Sequence, residues 1–189
     1  LLAFWEANCD RVAFDVVSGG LFTGARRPTL ASLGFIREAN VRVAQLTGVT
    51  FGPAFDALLD DGRLALDSER AAAGFAALRA QAPDRAVPLA AALQRRFYVD
   101  GESLSDPSTV AAVARAHGLD ADRAVAFMTG DDGRRAAAED FAFARALGVT
   151  AFPSLLVLAG DRGVQLPAVG TPVEALGRHL DEALGMLAA

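Results

Sequence analysis

The apolar and polar positions at the start of the chain predict the end of a helix followed by a strand. Leu2, Trp5 and Cys9 are spaced so that they share one face of a helix. Apolar residues then recur at every second position of residues 12–17, before the turn-forming residues 18–20. A period of two is typical of a strand, so we expect a strand at 12–17 that ends in a loop at 18–20.

Helical periodicity begins near residue 28 and continues to residue 147. Turn and capping signals divide this block into separate helices. Gly48 and Gly118 stand where helices should end, and Asp106 before Pro107 is an N-cap followed by proline at the first helical position. No strand-like alternation interrupts the block, which is therefore predicted to be all-helical.

The last part of the chain has the pattern of two strands and a helix. The apolar run GVTAFPSLLVL, residues 148–158, predicts a buried strand that is entered through Pro153. A turn then leads into a second predicted strand, VQLPAVG at residues 164–170. An apolar stripe on residues 173–187 predicts a closing helix.

These elements suggest one domain that carries a large insertion. A chain of 189 residues with 52% hydrophobic content is long enough for such an arrangement. Two strands alone form a marginal sheet, so the strands on either side of the helical block need each other. We therefore assign residues 1–27 and 148–189 to one α/β unit and residues 28–147 to a helical insertion.

Charge and composition exclude several classes of function. The formal net charge of −5 and the pI near 5.0 disfavour binding to nucleic acid. No apolar run reaches the roughly 18 to 20 residues of a membrane-spanning helix, so we expect no membrane partner. Cys9 is the only cysteine, and His117 and His179 are the only histidines, so the sequence supports no metal site.

Five segments, in order along the chain, resemble one known family. They are VVSGGLFTG, ANVRVAQLTG, ALQRRFYVDG, LSDPSTVAAVARAHGLD and FAFARALGVTAFPSLLV. Together they are similar to the DsbA-like family, in the branch of predicted cytoplasmic protein-disulfide isomerases. The resemblance implies an α/β, thioredoxin-like fold with a large all-helical insertion, and a cytoplasmic location.

The resemblance also implies where reactive thiols lie. Members of the family carry Cys-x-x-Cys at the start of the first helix, which corresponds to roughly two or three helical turns before Leu1. There the unpaired N–H groups and the helix dipole lower the pKa of a thiol from about 8.5. Cys9 lies at the opposite end of that helix. We expect it to be a small buried apolar residue, with a reactive or resolving thiol as the alternative.

Pro153 occupies the position where this family keeps a cis-proline, so the Phe152–Pro153 bond is expected to be cis. The resemblance implies that Ala151 pairs with an extended substrate chain and that Phe152 borders the thiol pair, although a core position for Phe152 is also open. Parallel strands of a β-α-β unit end on one side of the sheet, which brings loop 18–20 to the same place, either to approach substrate or as a plain turn. The predicted substrate-binding residues are Ser18, Gly19, Gly20, Ala151, Phe152 and Pro153.

Three functions are compatible with these features. The first is a thiol-disulfide oxidoreductase or isomerase that acts on thiols and disulfides of proteins or small molecules. The second is a glutathione-dependent isomerase or transferase of the kappa type, in which a serine replaces the first cysteine, and the third is a redox-inactive binding or adaptor protein. No cofactor is expected beyond glutathione as a redox partner. Its carboxylates could contact the arginine pairs at 26–27, 95–96 or 134–135, which solvated helix faces explain equally.

Overall fold

Helices make up most of the chain, and a small sheet lies near its C-terminal end. The structure is a computed structural model that describes residues 1–188. Its helices and strands are, in chain order, α1 (Leu2–Asn8), α2 (Ile36–Thr47), α3 (Pro53–Asp61), α4 (Ser68–Arg79), α5 (Ala86–Tyr98), α6 (Pro107–Ala116), α7 (Ala121–Thr129), α8 (Asp131–Ala146), β1 (Leu155–Ala159), β2 (Arg162–Leu166) and α9 (Val173–Ala188). None of the helices in this part of the chain is both long and apolar enough to cross a bilayer.

The sheet is an antiparallel hairpin that α9 covers. Leu155 lies opposite Leu166, and Ala159 lies opposite Arg162 at the turn. Gly160 in the turn has φ of +61°, a conformation that a two-residue hairpin turn needs and that glycine adopts without cost. The two predicted C-terminal strands and the closing helix are therefore confirmed. However, β1 is half-buried to exposed rather than buried, and β2 ends at Leu166 because Pro167 has no N–H to donate.

Two main clusters of buried side chains form the core, and a third, which consists of Ala72, Ala137 and Phe141, joins α4 to α8. The larger one joins the helices of the insertion, where Leu78, Leu89 and Val110 are fully buried between α4, α5 and α6. The smaller one joins α1, β2 and α9 through Phe4, Leu166 and Leu180, among others. Each large apolar side chain buried in this way stabilises the fold by about 1.5–3 kcal/mol.

The predicted strand at residues 12–17 is wrong. This segment is extended but forms no strand, because no other backbone within residues 1–188 lies alongside it to complete a ladder. Its apolar side chains still pack inward. Val12 and Phe14 join the smaller core, where the Phe14 ring meets that of Phe4 edge to face at 5.8 Å, and Val16 packs against the helical core. The segment therefore connects the two cores.

Helix boundaries in the insertion follow the predicted signals. Asp106 accepts hydrogen bonds at the start of α6, as Asp67 and Asp120 do at α4 and α7. Gly48 ends α2 in the left-handed conformation. Every secondary-structure element of the insertion is a helix, as predicted. Two of the loops between the helices also meet in an isolated antiparallel bridge of Thr29 and Ala65. Sequence periodicity misses it, since one bridge requires only that two loops meet.

Cys9 is exposed, so the prediction of a buried apolar residue is wrong. The predicted stripe of Leu2, Trp5 and Cys9 is not the buried face of α1, which carries Phe4 and Asn8 instead. Asn8 is satisfied there, because its Nδ2 donates to the Phe4 carbonyl at 2.9 Å and its Oδ1 accepts from Arg11 at 2.9 Å. A buried amide with both groups paired replaces the apolar residue that the pattern suggested.

The N-cap of α6 predicts a specific pH dependence of stability. The backbone N–H of Ser108 donates to Asp106 Oδ1 at 2.8 Å and holds the pKa of Asp106 below its usual value. Because the folded-state pKa is lowered, the stabilisation is complete above the unfolded value of about 3.9 and is lost as the pH falls through the folded-state pKa. Urea unfolding at pH 7 should show Asp106→Ala destabilised by about 1 kcal/mol.

The matched variant Asp106→Asn keeps the cap and removes the charge. Its free energy of unfolding should stay close to that of the unmodified protein at pH 7 and should change less between pH 5 and pH 3. An identical pH profile in both proteins would contradict the role assigned to Asp106.

Candidate functional site

The loop 18–20 and the loop around Pro153 come together in the structure. The Phe152–Pro153 peptide bond is cis, as the sequence predicts. Ser154 closes this loop, because its hydroxyl donates to the Ala151 carbonyl at 2.7 Å. The turn holds Phe152 out of the core, with 45% of its surface exposed, so the alternative of a core position is wrong.

Glycine is required in the loop 18–20 because two aromatic rings lie against it. A β-carbon at Gly19 would overlap the ring of Phe152. At Gly20 a β-carbon would come within 2.8 Å of the Phe141 ring, and the φ of Gly20 is +72°. The predicted proximity of this loop to Phe152 is therefore confirmed, and the two glycines allow aromatic rings to approach the backbone.

An ion pair between two helices holds the backbone that leads into this loop. Arg79 ends α4, and its Nη2 donates to Asp140 Oδ1 on α8 at 2.8 Å. Asp140 Oδ2 also accepts from the Ser18 N–H at 3.0 Å, and Arg79 Nη1 donates to the Val16 carbonyl. Because the segment has no strand partner within residues 1–188, these side chains give two of its backbone groups, the Val16 carbonyl and the Ser18 N–H, hydrogen-bond partners.

The ion pair of Arg79 and Asp140 is largely buried. The side chains of Arg79 and Asp140 are 20% and 10% exposed, so both charges are largely removed from water and depend on each other. The Arg79 guanidinium also lies over the ring of Phe75, 5.3 Å from its centroid. Sequence reasoning missed both residues, because each looks like any charged residue on a helix face and only the fold brings them together.

The far end of the loop is attached to the start of α4. The Phe22 N–H donates to Ser68 Oγ at 2.9 Å, and the Ser68 N–H donates back to the Phe22 carbonyl at 2.9 Å. Loop 18–20 is thus anchored on both sides, by Asp140 before it and by Ser68 after it. Such double anchoring limits how far the loop can move.

A groove of about 550 Å³ lies between the segment that precedes this loop and helices α4, α7 and α8 of the insertion. Val17 and Asp140 border it on the side of the loop. Phe127 and Phe143 line its apolar wall, and Phe143 is 46% exposed. A groove of this size and character can accept a few apolar side chains of a bound chain.

Most of the paired arginines bind carboxylates of the protein itself. Arg27 contacts Asp67 and Glu69, and the hydrogen bond to Glu69 raises the pKa of Arg27. Arg96, Arg134 and Arg135 likewise have acidic partners, whereas Arg26 and Arg95 form no salt bridge within residues 1–188. Arg26 also lines a pocket of about 490 Å³ beside Leu21 and Phe22.

The described residues contain no group of three histidine, cysteine or acidic side chains that could hold a metal ion. His179 lies 3.4 Å from Glu182 on α9. His117 is the C-cap residue of α6, where its carbonyl accepts from Arg85 at 3.1 Å. Both histidines have contacts that belong to the fold.

Residues 36–177 match the DSBA-like thioredoxin domain. The chain belongs to this family. The match runs from α2 into α9 and includes the Phe152–Pro153 loop. No curated protein matches the chain.

Three solved structures are similar over most of this DSBA-like chain. The cytosolic disulfide reductase DsbM from Pseudomonas aeruginosa is 25% identical, with a TM-score of 0.79 over 97% of this chain and 91% of DsbM. DsbM with GSH gives 24% identity and a TM-score of 0.77, over 96% and 89%. A proposed protein disulfide isomerase from Nitrosomonas europaea is 23% identical to this chain. Its TM-score is 0.73, over 89% of this chain and 79% of the isomerase. The predicted thioredoxin-like fold with a helical insertion is confirmed.

Removal of the Asp140 carboxylate should destabilise this DSBA-like domain. In Asp140→Ala, Arg79 stays largely buried without its counter-charge, which should lower the free energy of unfolding by about 3 kcal/mol. The exposed pair Arg135–Asp132 on the same helix provides the control. Asp132→Ala should lower the free energy of unfolding by less than about 1 kcal/mol. Urea denaturation measures both.

Hydrogen–deuterium exchange tests the local part of this prediction. The Ser18 amide, which donates to Asp140, should exchange faster in Asp140→Ala than in Asp132→Ala. Equal exchange in the two variants would show that the ion pair does not hold the loop.

Proposed function

We propose that this DSBA-like protein is a thiol-disulfide oxidoreductase or isomerase that works through a dithiol encoded upstream of Leu1. Ala151, Phe152 and Pro153 dock the substrate chain, and loop 18–20 supports them. The observation that carries the proposal is the approach of the exposed Phe152 ring to Gly19, which brings the Pro153 loop and loop 18–20 together in a chain of this family.

The backbone of the proline loop supports substrate docking. A substrate that adds an extended segment to this edge needs a free donor on the protein. The Ala151 N–H donates to no acceptor within residues 1–188, so it is available to a substrate carbonyl. The exposed ring of Phe152 beside it offers an apolar contact to the side chains that flank a substrate cysteine.

The proposed chemistry is two successive exchanges. The first cysteine thiolate attacks one sulfur of the substrate disulfide, and the other sulfur leaves as a thiolate. The second cysteine then attacks the mixed disulfide, so the substrate departs as a dithiol and the protein retains a disulfide. In isomerisation a substrate thiolate resolves the mixed disulfide instead. The protein's dithiol returns when two glutathione thiols are oxidised to glutathione disulfide.

Glutathione is the small-molecule partner that we propose for this cycle, in the cytoplasm. The likeness to DsbM supports both glutathione as the partner and the cytoplasm as the location, because DsbM is a cytosolic disulfide reductase whose structure has also been solved with GSH. Arg26 adds support from this chain. It is exposed, it has no acidic partner within residues 1–188, and its pocket adjoins loop 18–20, so its guanidinium can pair with a glutathione carboxylate.

The decisive experiment determines the residues encoded directly before Leu1 and assays the full-length protein for insulin reduction. Cys-x-x-Cys together with activity that is lost when the first cysteine becomes alanine is the expected result. A serine at that position with glutathione transferase activity would support the kappa-type function instead. An intact dithiol without any disulfide exchange would contradict the proposal and favour an adaptor.

A glycine pair tests the role of Phe152 in the full-length protein. Gly19→Ala should displace the Phe152 ring, and kcat/KM for insulin should fall about tenfold, which equals about 1.4 kcal/mol. The melting temperature should change little, because the displaced ring is exposed and can move. Gly34→Ala, where a β-carbon meets nothing within 4 Å, should leave kcat/KM unchanged. Equal kinetics of the two variants would exclude a role for the ring position.

A further inference from the structure

The helix α2 exposes apolar side chains that the rest of the structure leaves uncovered. None of its residues is buried, and α2 packs extensively against no other helix or strand of residues 1–188. Phe35, at its N-cap, is 64% exposed, Val43 is 42% exposed and Leu46 is 59% exposed. Single exposed apolar side chains are common on protein surfaces, whereas a contiguous group of them marks an interaction surface.

These side chains lie on one stripe of the helix. At 3.6 residues per turn, Phe35, Ala39, Val43 and Leu46 fall within an arc of about 80°. Large side chains stand at the two ends of this stripe and the small Ala39 lies between them. A stripe of this kind can pack against a second helix that carries a similar stripe.

The charges beside the stripe show which partner fits. Glu38 and Arg42 lie on the same flank, and neither forms a salt bridge within residues 1–188. Arg37, which lies outside the stripe, pairs with Asp60 at 2.5 Å. The two charges next to the apolar stripe are therefore unpaired, of opposite sign and one helical turn apart.

An antiparallel copy of α2 would satisfy both features at once. If Phe35 of one copy meets Leu46 of the other, a two-fold axis passes between positions 40 and 41. Glu38 of each copy then lies about one residue, or about 1.5 Å along the helix axis, from Arg42 of the other, which these long side chains can span. A two-fold axis places the same flank of each helix together, so both ion pairs form simultaneously. The surface is thus complementary to itself in both shape and charge.

We propose that the protein forms a two-fold symmetric dimer in which α2 packs antiparallel against α2 of a second copy. The Phe35–Leu46 stripe forms the apolar centre, and the Glu38–Arg42 pairs fix the register. This inference does not depend on the proposed redox function, and the closing experiment measures association alone.

Analytical ultracentrifugation of the full-length protein provides the first test. The unmodified protein should sediment as a dimer, and Leu46→Asp should raise the dimer dissociation constant at least tenfold. Val41→Asp is the matched control, because Val41 is 58% exposed on the opposite side of α2. It should leave the dissociation constant unchanged. A monomer for the unmodified protein, or equal weakening by both substitutions, would overturn the proposal.

Charge reversal tests the register with variants that leave the apolar stripe intact. Glu38→Arg and Arg42→Glu should each weaken the dimer several-fold, because each places like charges opposite one another. The double variant E38R/R42E restores opposite charges across the axis and should recover the original dissociation constant. Circular dichroism confirms that each variant is folded. A double variant that dissociates as readily as the single ones would overturn the antiparallel register.

Discussion

The buried ion pair between Arg79 and Asp140 is the interaction on which the arrangement of the site depends. It joins two helices of the insertion, and the same two side chains bind the backbone at Val16 and Ser18. A lone backbone segment without a strand partner would leave its polar groups unsatisfied. The ion pair supplies partners for two of these groups, the Val16 carbonyl and the Ser18 N–H, and thereby holds the start of loop 18–20.

The site lies where the two cores meet, and each core contributes one side of it. The small core of α1, the hairpin and α9 supports the strand that follows Pro153. The helical core supports α4, and a third cluster of Ala72, Ala137 and Phe141 joins α4 to α8. Residues 12–17 pass from one core to the other. The Phe152 ring therefore rests on a loop whose position the insertion determines, which couples the insertion to the proposed docking surface.

Part of this structure follows from the sequence because its causes are local. Asp106 caps a helix through its own neighbours, and Gly48 and Gly160 adopt conformations that suit glycine. The resemblance to a family predicts the cis bond at Pro153, whereas the topology of a β-α-β unit predicts that loop 18–20 lies beside it. Failures occurred where a residue's environment comes from distant parts of the chain. Residues 12–17 have strand periodicity but no strand partner within residues 1–188, and Cys9 occupies an exposed face of α1.

The sequence by itself determined the class of fold, the order of the helices, the hairpin and the residues that meet at the proline loop. Periodicity, caps and turns act over a few residues, so they can be read directly from the chain. Only the tertiary structure decided that Arg79 and Asp140 bind the loop and that the rest of residues 1–188 leaves α2 uncovered. These contacts join residues that are roughly 60 to 120 positions apart in the sequence. Residue types alone do not indicate which distant residues come together.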